Sequence, residues 1–251
     1  MSHASDENAE QPPPPPRRQG PRPIATYSLI GTIVVIYLIG ILLSNGLFQP
    51  DFLVLVVMGA KVNQLIDLGQ YWRLLTATFL HASLVHIFFN SFALYALGPE
   101  AERIYGLRRF LTLYFLAGLG GSVASYLFSP NPSVGASGAV FGLIGGLGIF
   151  FYFSRAVLGE FGRTQVQSMG AIAAINLLIG LSLPGTIDNW GHIGGLIAGL
   201  IVGAALAPRL QIDNQFFPPV LVRSYPPWGW SAAAALGIGL VGLAVVLPGA
   251  S

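Results

Sequence analysis

Charge is absent from this chain over long unbroken runs, and that narrows its possible folds more than any other feature. No Asp, Glu, Lys or Arg occurs in Pro23–Pro50, Leu74–Pro99, Phe110–Ser154, Thr164–Ile187, Trp190–Pro208 or Ser224–Ser251. A helix needs about 20 predominantly apolar residues to cross the hydrocarbon of a bilayer. The run Phe110–Ser154 is long enough for two crossings, and Ser129-Pro130-Asn131-Pro132-Ser133 breaks it with a strong turn signal. The pattern predicts an all-α polytopic membrane protein with helices at roughly 25–44, 78–97, 108–128, 136–154, 167–184, 189–207 and 229–248. Composition agrees, since 9% of the residues are charged where a soluble domain carries about a quarter. The net charge of +2 gives no reason to expect a nucleic-acid partner. The absence of Cys excludes disulfides, thiolate catalysis and Cys-ligated metals.

Residues 1–23 are a different material. They are polar and Pro-rich, with acidic residues at Asp6, Glu7 and Glu10, and cannot bury enough apolar surface to fold. They read as a disordered tail with local polyproline II character, a linker sooner than a ligand for SH3-type domains. The residues after Arg17-Arg18 do not fit a twin-Arg export signal, so the pair reads as a basic membrane flank.

With the N-terminus inside, the inner segments hold Arg17, Arg18, Arg22, Arg103, Arg108, Arg109, Arg155, Arg163, Arg209 and Arg223, and the outer ones only Lys61 and Arg73. This bias predicts a cytoplasmic N-terminus. The second, fourth and sixth helices then run from outside to inside. In segment 45–73 the apolar run Phe52–Met58 is too short to cross and Lys61 and Asp67 soon follow, so the segment is expected to lie in or dip into the outer interface. Tyr71 and Trp72 suit interface anchors.

Ionisable side chains within a bilayer are costly and usually functional. His81, His86 and His192 fall in or at helices, and no Asp or Glu lies deep in a span. His86 and Asn90, four apart, share one helix face. His81, five before His86, is expected about 140° away at 3.6 residues per turn. On its own this helix supports inter-helix hydrogen bonding as readily as chemistry. The fourth helix opens with Gly135-Ala136-Ser137-Gly138, which puts a hydroxyl near free backbone N–H groups and the positive helix end. A cap or packing residue has the same signature. The sixth opens with Asn189-Trp190-Gly191-His192. Below Ser137 run Gly138, Gly142 and Gly146; below His192 run Gly195, Gly199 and Gly203. Small residues at this spacing let two helix backbones approach closely. Together these residues supply a nucleophile with a base, and His86, Asn90 and the Ser137 N–H are candidate oxyanion donors.

The same residues resemble the pattern of the rhomboid protease family. Trp72-Arg73 matches its outer-loop pair, and His81, His86 and Asn90 match its His-x4-His-x3-Asn helix. Gly135, Ser137 and Gly138 match Gly-x-Ser-Gly, and His192, Gly195 and Gly199 match His-x2-Gly-x3-Gly. The resemblance covers about residues 25 to 207. It implies a six-helix catalytic core at 24–207, with 208–251 forming a linker and a seventh helix (6+1). It also implies a Ser137–His192 dyad without an acidic third member, Phe141 stacked on the catalytic His, Arg73 fixing the outer loop, and Glu102 in a structural role. Asp188 is expected to be a solvated loop residue sooner than an orienter of His192. The implied activity is serine-type endopeptidase cleavage of transmembrane segments in membrane-protein substrates reached through the lipid, with no metal or organic cofactor. Compact size and the lack of a transit peptide point to a bacterial plasma membrane, with the site toward the outer face. The main alternative is a catalytically silent relative that binds membrane clients. A His-based metalloprotease lacks its His-Glu-x-x-His motif, and a transporter lacks evident inverted repeats and intramembrane acids.

Overall fold

Without water, a buried backbone must hydrogen-bond to itself, and the uncharged runs do so as helices. The computed structural model describes residues 22–46, 48–183 and 185–251; the expected tail therefore lies almost wholly outside the described residues. The elements are α1 (Ile24–Leu42), α2 (Phe52–Met58), α3 (Asn63–Asp67), α4 (Arg73–Thr76) leading into a 3-10 turn (Ala77–Phe79), α5 (Leu84–Tyr105), α6 (Leu107–Phe128), α7 (Ser137–Ser182), α8 (Asn189–Leu206), β1 (Arg209–Asp213), β2 (Val220–Ser224) and α9 (Gly229–Val246). Five of these helices are long and apolar enough to cross a membrane among the described residues, or six if α4, its turn and α5 count as one bent span.

The second predicted helix is corrected in two ways. It begins at Leu84, not 78, because Ser83 caps it, its hydroxyl accepting from the His86 N–H at 3.2 Å. The residues before it, Arg73–Phe79, are bent 91° away. At its far end α5 continues through Pro99 to Tyr105.

At 1.5 Å per residue, α7 would be about 70 Å long if straight, twice a bilayer. Gly159 breaks it, with φ 59° and ψ −133°, a conformation open to glycine at little cost. The chain then doubles back, since a Cβ on Gly148 would lie 3.5 Å from the Met169 Cβ. The reversal explains why two predicted helices appear as one continuous element.

Buried residues of α5, α6, α7 and α8, among them Leu94, Tyr105, Phe110, Tyr114, Leu143 and Val202, form the principal core. α9 is far less enclosed, with 17% of its apolar window buried. Between α8 and α9 the expected linker is a two-stranded antiparallel hairpin, with Leu210 opposite Arg223 and Ile212 opposite Leu221. Five-residue strands beside a membrane helix leave too little periodicity to be read beforehand.

Candidate active site

Glycine decides how Ser137 and His192 are held. α7 and α8 touch backbone to backbone: a methyl on Gly195 would collide with the Gly138 carbonyl oxygen, and one on Gly199 with that of Gly142. A Cβ on Gly145 would lie 2.7 Å from the Leu196 carbonyl oxygen. α6 closes the other side, where a Cβ on Gly121 would sit 2.6 Å from the Gly191 oxygen and one on Gly120 2.6 Å from the Ala198 Cβ. The α6 contribution is absent from the sequence reading, because its glycines do not form the same four-residue ladder. Both helices start at the same end of the bundle, so this seam brings Ser137 and His192 into one neighbourhood.

Ser137 is the first residue of α7, and no side chain caps that helix. The first turn therefore presents N–H groups without intrahelical partners. Gly135, two residues earlier, has φ 129° and donates its N–H to the Ala77 carbonyl at 2.9 Å. A Cβ at Gly135 would lie 2.6 Å from His86 Nε2 and 3.9 Å from Asn90 Nδ2. The α5 donors thus face the turn that carries Ser137. Asn90 also gives one proton to the His86 carbonyl, at 3.0 Å.

His192 is 8% exposed, and among the described residues its buried Nδ1 has no hydrogen-bond partner. Its ring lies on Phe141, with centroids 4.2 Å apart and planes 12° from parallel. Among the described residues, no hydrogen bond within 3.5 Å joins Ser137 to His192. Asp188 is neither free in a loop nor bonded to the His192 ring. It caps α8, its Oδ1 accepting from the Gly191 N–H at 2.9 Å.

His81 corrects the helical-wheel expectation. Because α5 starts after it, His81 is not on the helix, and its ring lies 5.0 Å from that of His86 in an edge-on pair. Both ring nitrogens of His81 are buried, with no hydrogen bond within 3.5 Å among the described residues. Trp72 is half-exposed, with the Arg73 guanidinium 4.7 Å from its ring centroid. Arg73 is buried in segment 45–73, donating to the Val56 carbonyl at 2.6 Å, the Ala60 carbonyl at 3.1 Å and Gln70 Oε1 at 2.7 Å.

Lys61, counted in the sequence only as an outer charge, is fully buried. Its Nζ donates to the Ser129 and Asn131 carbonyls at 2.9 and 2.8 Å, and its backbone exchanges two hydrogen bonds with Ser133, each 3.0 Å. Burial lowers its ammonium from an ordinary 10.5 to about 8. No group of three or more His, Cys, Asp or Glu able to hold a metal occurs among the described residues.

A bundle of apolar helices around a small polar cluster defines an integral, multi-pass membrane protein. A family model described as Rhomboid domain matches residues 68–209. The chain is 42% identical over 188 residues to Rhomboid protease GluP of Bacillus subtilis (strain 168), covering 75% of this chain and 36% of that one. It is 40% identical over 168 residues to RHOMBOID-like protein 4 of Arabidopsis thaliana, covering 66% and 42%. With Rhomboid-like protease 1 of Toxoplasma gondii it shares 33% over 207 residues, covering 81% and 67%. The chain belongs to the rhomboid family. It spans well under half the length of the B. subtilis and A. thaliana relatives.

Proposed function

We propose that this protein is an intramembrane serine endopeptidase acting on transmembrane segments of single-pass or multi-pass membrane proteins. One observation carries the reading: His192, stacked on Phe141, sits on a helix locked backbone to backbone against the helix that Ser137 begins. A substrate helix enters from the lipid and unwinds near Ser137. His192 takes the Ser137 hydroxyl proton through Nε2, since Nδ1 is sealed without a partner. The Ser137 oxygen bonds to the scissile carbonyl carbon, and the resulting oxyanion is held by His86, Asn90 and the Ser137 N–H. Each well-placed donor of this kind contributes about 3–4 kcal/mol to the transition state. His192 then passes its proton to the leaving amine, and the C–N bond breaks. Water, activated by the same ring, hydrolyses the acyl-enzyme and regenerates Ser137. The two residues close their hydrogen bond as substrate binds, since catalytic hydrogen bonds are often long before then.

The organisation proposed is a tail at 1–23, a six-helix core at 24–207 carrying the interfacial segment 45–73, and a seventh helix after the 208–228 connection. The N-terminus faces the cytoplasm of a bacterial cell and the dyad faces outward, as the distribution of Lys and Arg supports. The chemistry uses neither metal nor organic cofactor.

The test is cleavage of a model transmembrane helix, with small and helix-breaking residues near its outer end, by purified protein in liposomes. Wild type is expected to give one cut and Ser137→Ala none, with membrane insertion unchanged. Cleavage by Ser137→Ala would overturn the assignment. Binding of the helix without any cut by wild type would favour a client-binding relative.

A further inference from the structure

Most of α9 faces away from the core, yet the segment that follows it is tied down. The Ala250 N–H donates to the Tyr126 carbonyl at 2.9 Å, and the Gly249 N–H donates to Asp67 Oδ1 at 3.2 Å. Tyr126 donates its hydroxyl to the same Asp67 oxygen and lies 3.2 Å from the Leu247 carbonyl. Asn63, 2% exposed, directs its Nδ2 to the carbonyls of Ala250 at 2.7 Å, Tyr126 at 3.1 Å and Ser129 at 3.0 Å. Two amide protons thus serve three carbonyls, two at the end of α6 and one after α9. Gly249 fits because it has no side chain: a Cβ there would meet Tyr126 Cδ2 at 2.9 Å and the Asn63 Cβ at 3.1 Å. An apolar patch of Ile66, Leu74, Val123, Tyr126 and Ala244 lies beneath these bonds.

This cluster leads to the nucleophile. Ser129, held by Asn63 and Lys61, begins the non-helical connection from α6 to α7. Lys61 continues along it to Asn131 and Ser133, Gly135 is fixed on Ala77, and Ser137 follows two residues later. A connection with two prolines and no regular structure of its own takes its position from what grips it. We propose that residues 247–250, with Asn63, Asp67 and Tyr126, form a clasp through which the helix after the catalytic core positions the turn carrying Ser137. These are positioning residues, and the inference rests on the Ser137 reading above.

The experiment uses the full chain in liposomes with the model substrate helix. Variants are Gly249→Leu, Asn63→Asp (same size, donor removed), Asp67→Ala and Asp67→Asn (acceptor oxygen kept). Cleavage is resolved into kcat and KM, amide hydrogen exchange is followed over residues 129–136, and thermal midpoints are measured. Misplacement of a reacting group by about 1 Å can cost on the order of 100-fold. Gly249→Leu, Asn63→Asp and Asp67→Ala are expected to lower kcat by about tenfold to 100-fold, with KM within about twofold and faster exchange at 129–136. Asp67→Asn is expected to retain wild-type kcat. Unchanged kcat in all three disruptive variants would overturn the clasp. So would a loss that only tracks the unfolded fraction given by the thermal midpoint. If wild type itself does not cleave, the protease reading fails, and the exchange data alone decide the clasp: faster exchange in the disruptive variants supports it and unchanged exchange overturns it.

Discussion

Two buried polar clusters of this bundle, one around Glu102 and one around Ser137, are treated in opposite ways. In the first, Glu102, 8% exposed, accepts from the Ala25 N–H at 3.0 Å, the Thr26 N–H at 2.8 Å and the Thr26 hydroxyl at 2.8 Å. α1 starts after Pro23 with no local side-chain cap, so a carboxylate from α5 satisfies its first N–H groups and places a negative charge at its positive end. Gly98 lets Thr26 come that close, since a Cβ there would lie 2.9 Å from the Thr26 hydroxyl oxygen. Nearby, Tyr105 donates to the Gly146 carbonyl at 2.7 Å. In the second, among the described residues, the ring nitrogens of His81 and Nδ1 of His192 are buried with no partner and α7 begins uncapped at Ser137. An unpaired buried polar group costs about 1–3 kcal/mol. The Glu102 carboxylate is fully used in holding two helices together, while the imidazoles near Ser137 keep ring nitrogens uncommitted.

Deleting polar groups in each cluster is the direct way to break that contrast. The largest effect is expected from His192→Ala, a loss of about 10⁴-fold or more in kcat/KM with the thermal midpoint unchanged or raised, read by steady-state cleavage beside calorimetry. His86→Ala and Asn90→Ala should each lower kcat by about 100- to 1000-fold with little change in KM. Equal activity in either variant would remove that residue from the oxyanion site. Glu102→Ala is expected to invert the pattern, costing about 2–3 kcal/mol of stability in denaturant titration while the folded fraction keeps its kcat. A kcat defect there, beyond the unfolded fraction, would erase the distinction between the two clusters.

The smallest effect sharpens the comparison on the connection that carries Ser137. Lys61 titrates near 8 when folded and near 10.5 as an ordinary ammonium. Between these values the folded state binds fewer protons than the unfolded chain, so stability should rise as pH increases through that window. Lys61→Met should flatten that rise, as seen in thermal midpoints measured from about pH 7.5 to 10.5.

The sequence made the helices legible because a bilayer imposes length and apolarity on them, and the observed α6 and α8 fall within a residue of their expected limits. The glycine ladders below Ser137 and His192 were legible for a similar reason, since only small residues permit that approach. Other features escaped the same logic. The helical wheel failed for His81 because Ser83 starts α5 after it, a cap that an apolar run conceals. Asp188 looked like any loop carboxylate, but its spacing to Gly191 matches that of a cap bonding three residues on. Lys61 was legible only as an outer charge, because nothing local marks a lysine whose partners are carbonyls about 70 residues away. Asn63, Asp67 and Tyr126 share that difficulty, since their partners come from distant helices.

The seam between α7 and α8 has one more consequence. Its closest contacts run backbone to backbone at Gly138, Gly142, Gly195 and Gly199, so they contain no rotamers to populate. Its spacing is set by atomic radii. Thicker or thinner bilayers shift helix tilt by modest amounts of energy, and such shifts are taken up on lipid-facing surfaces whose side chains can rearrange. The two residues proposed to exchange a proton ride on a joint that has almost no slack.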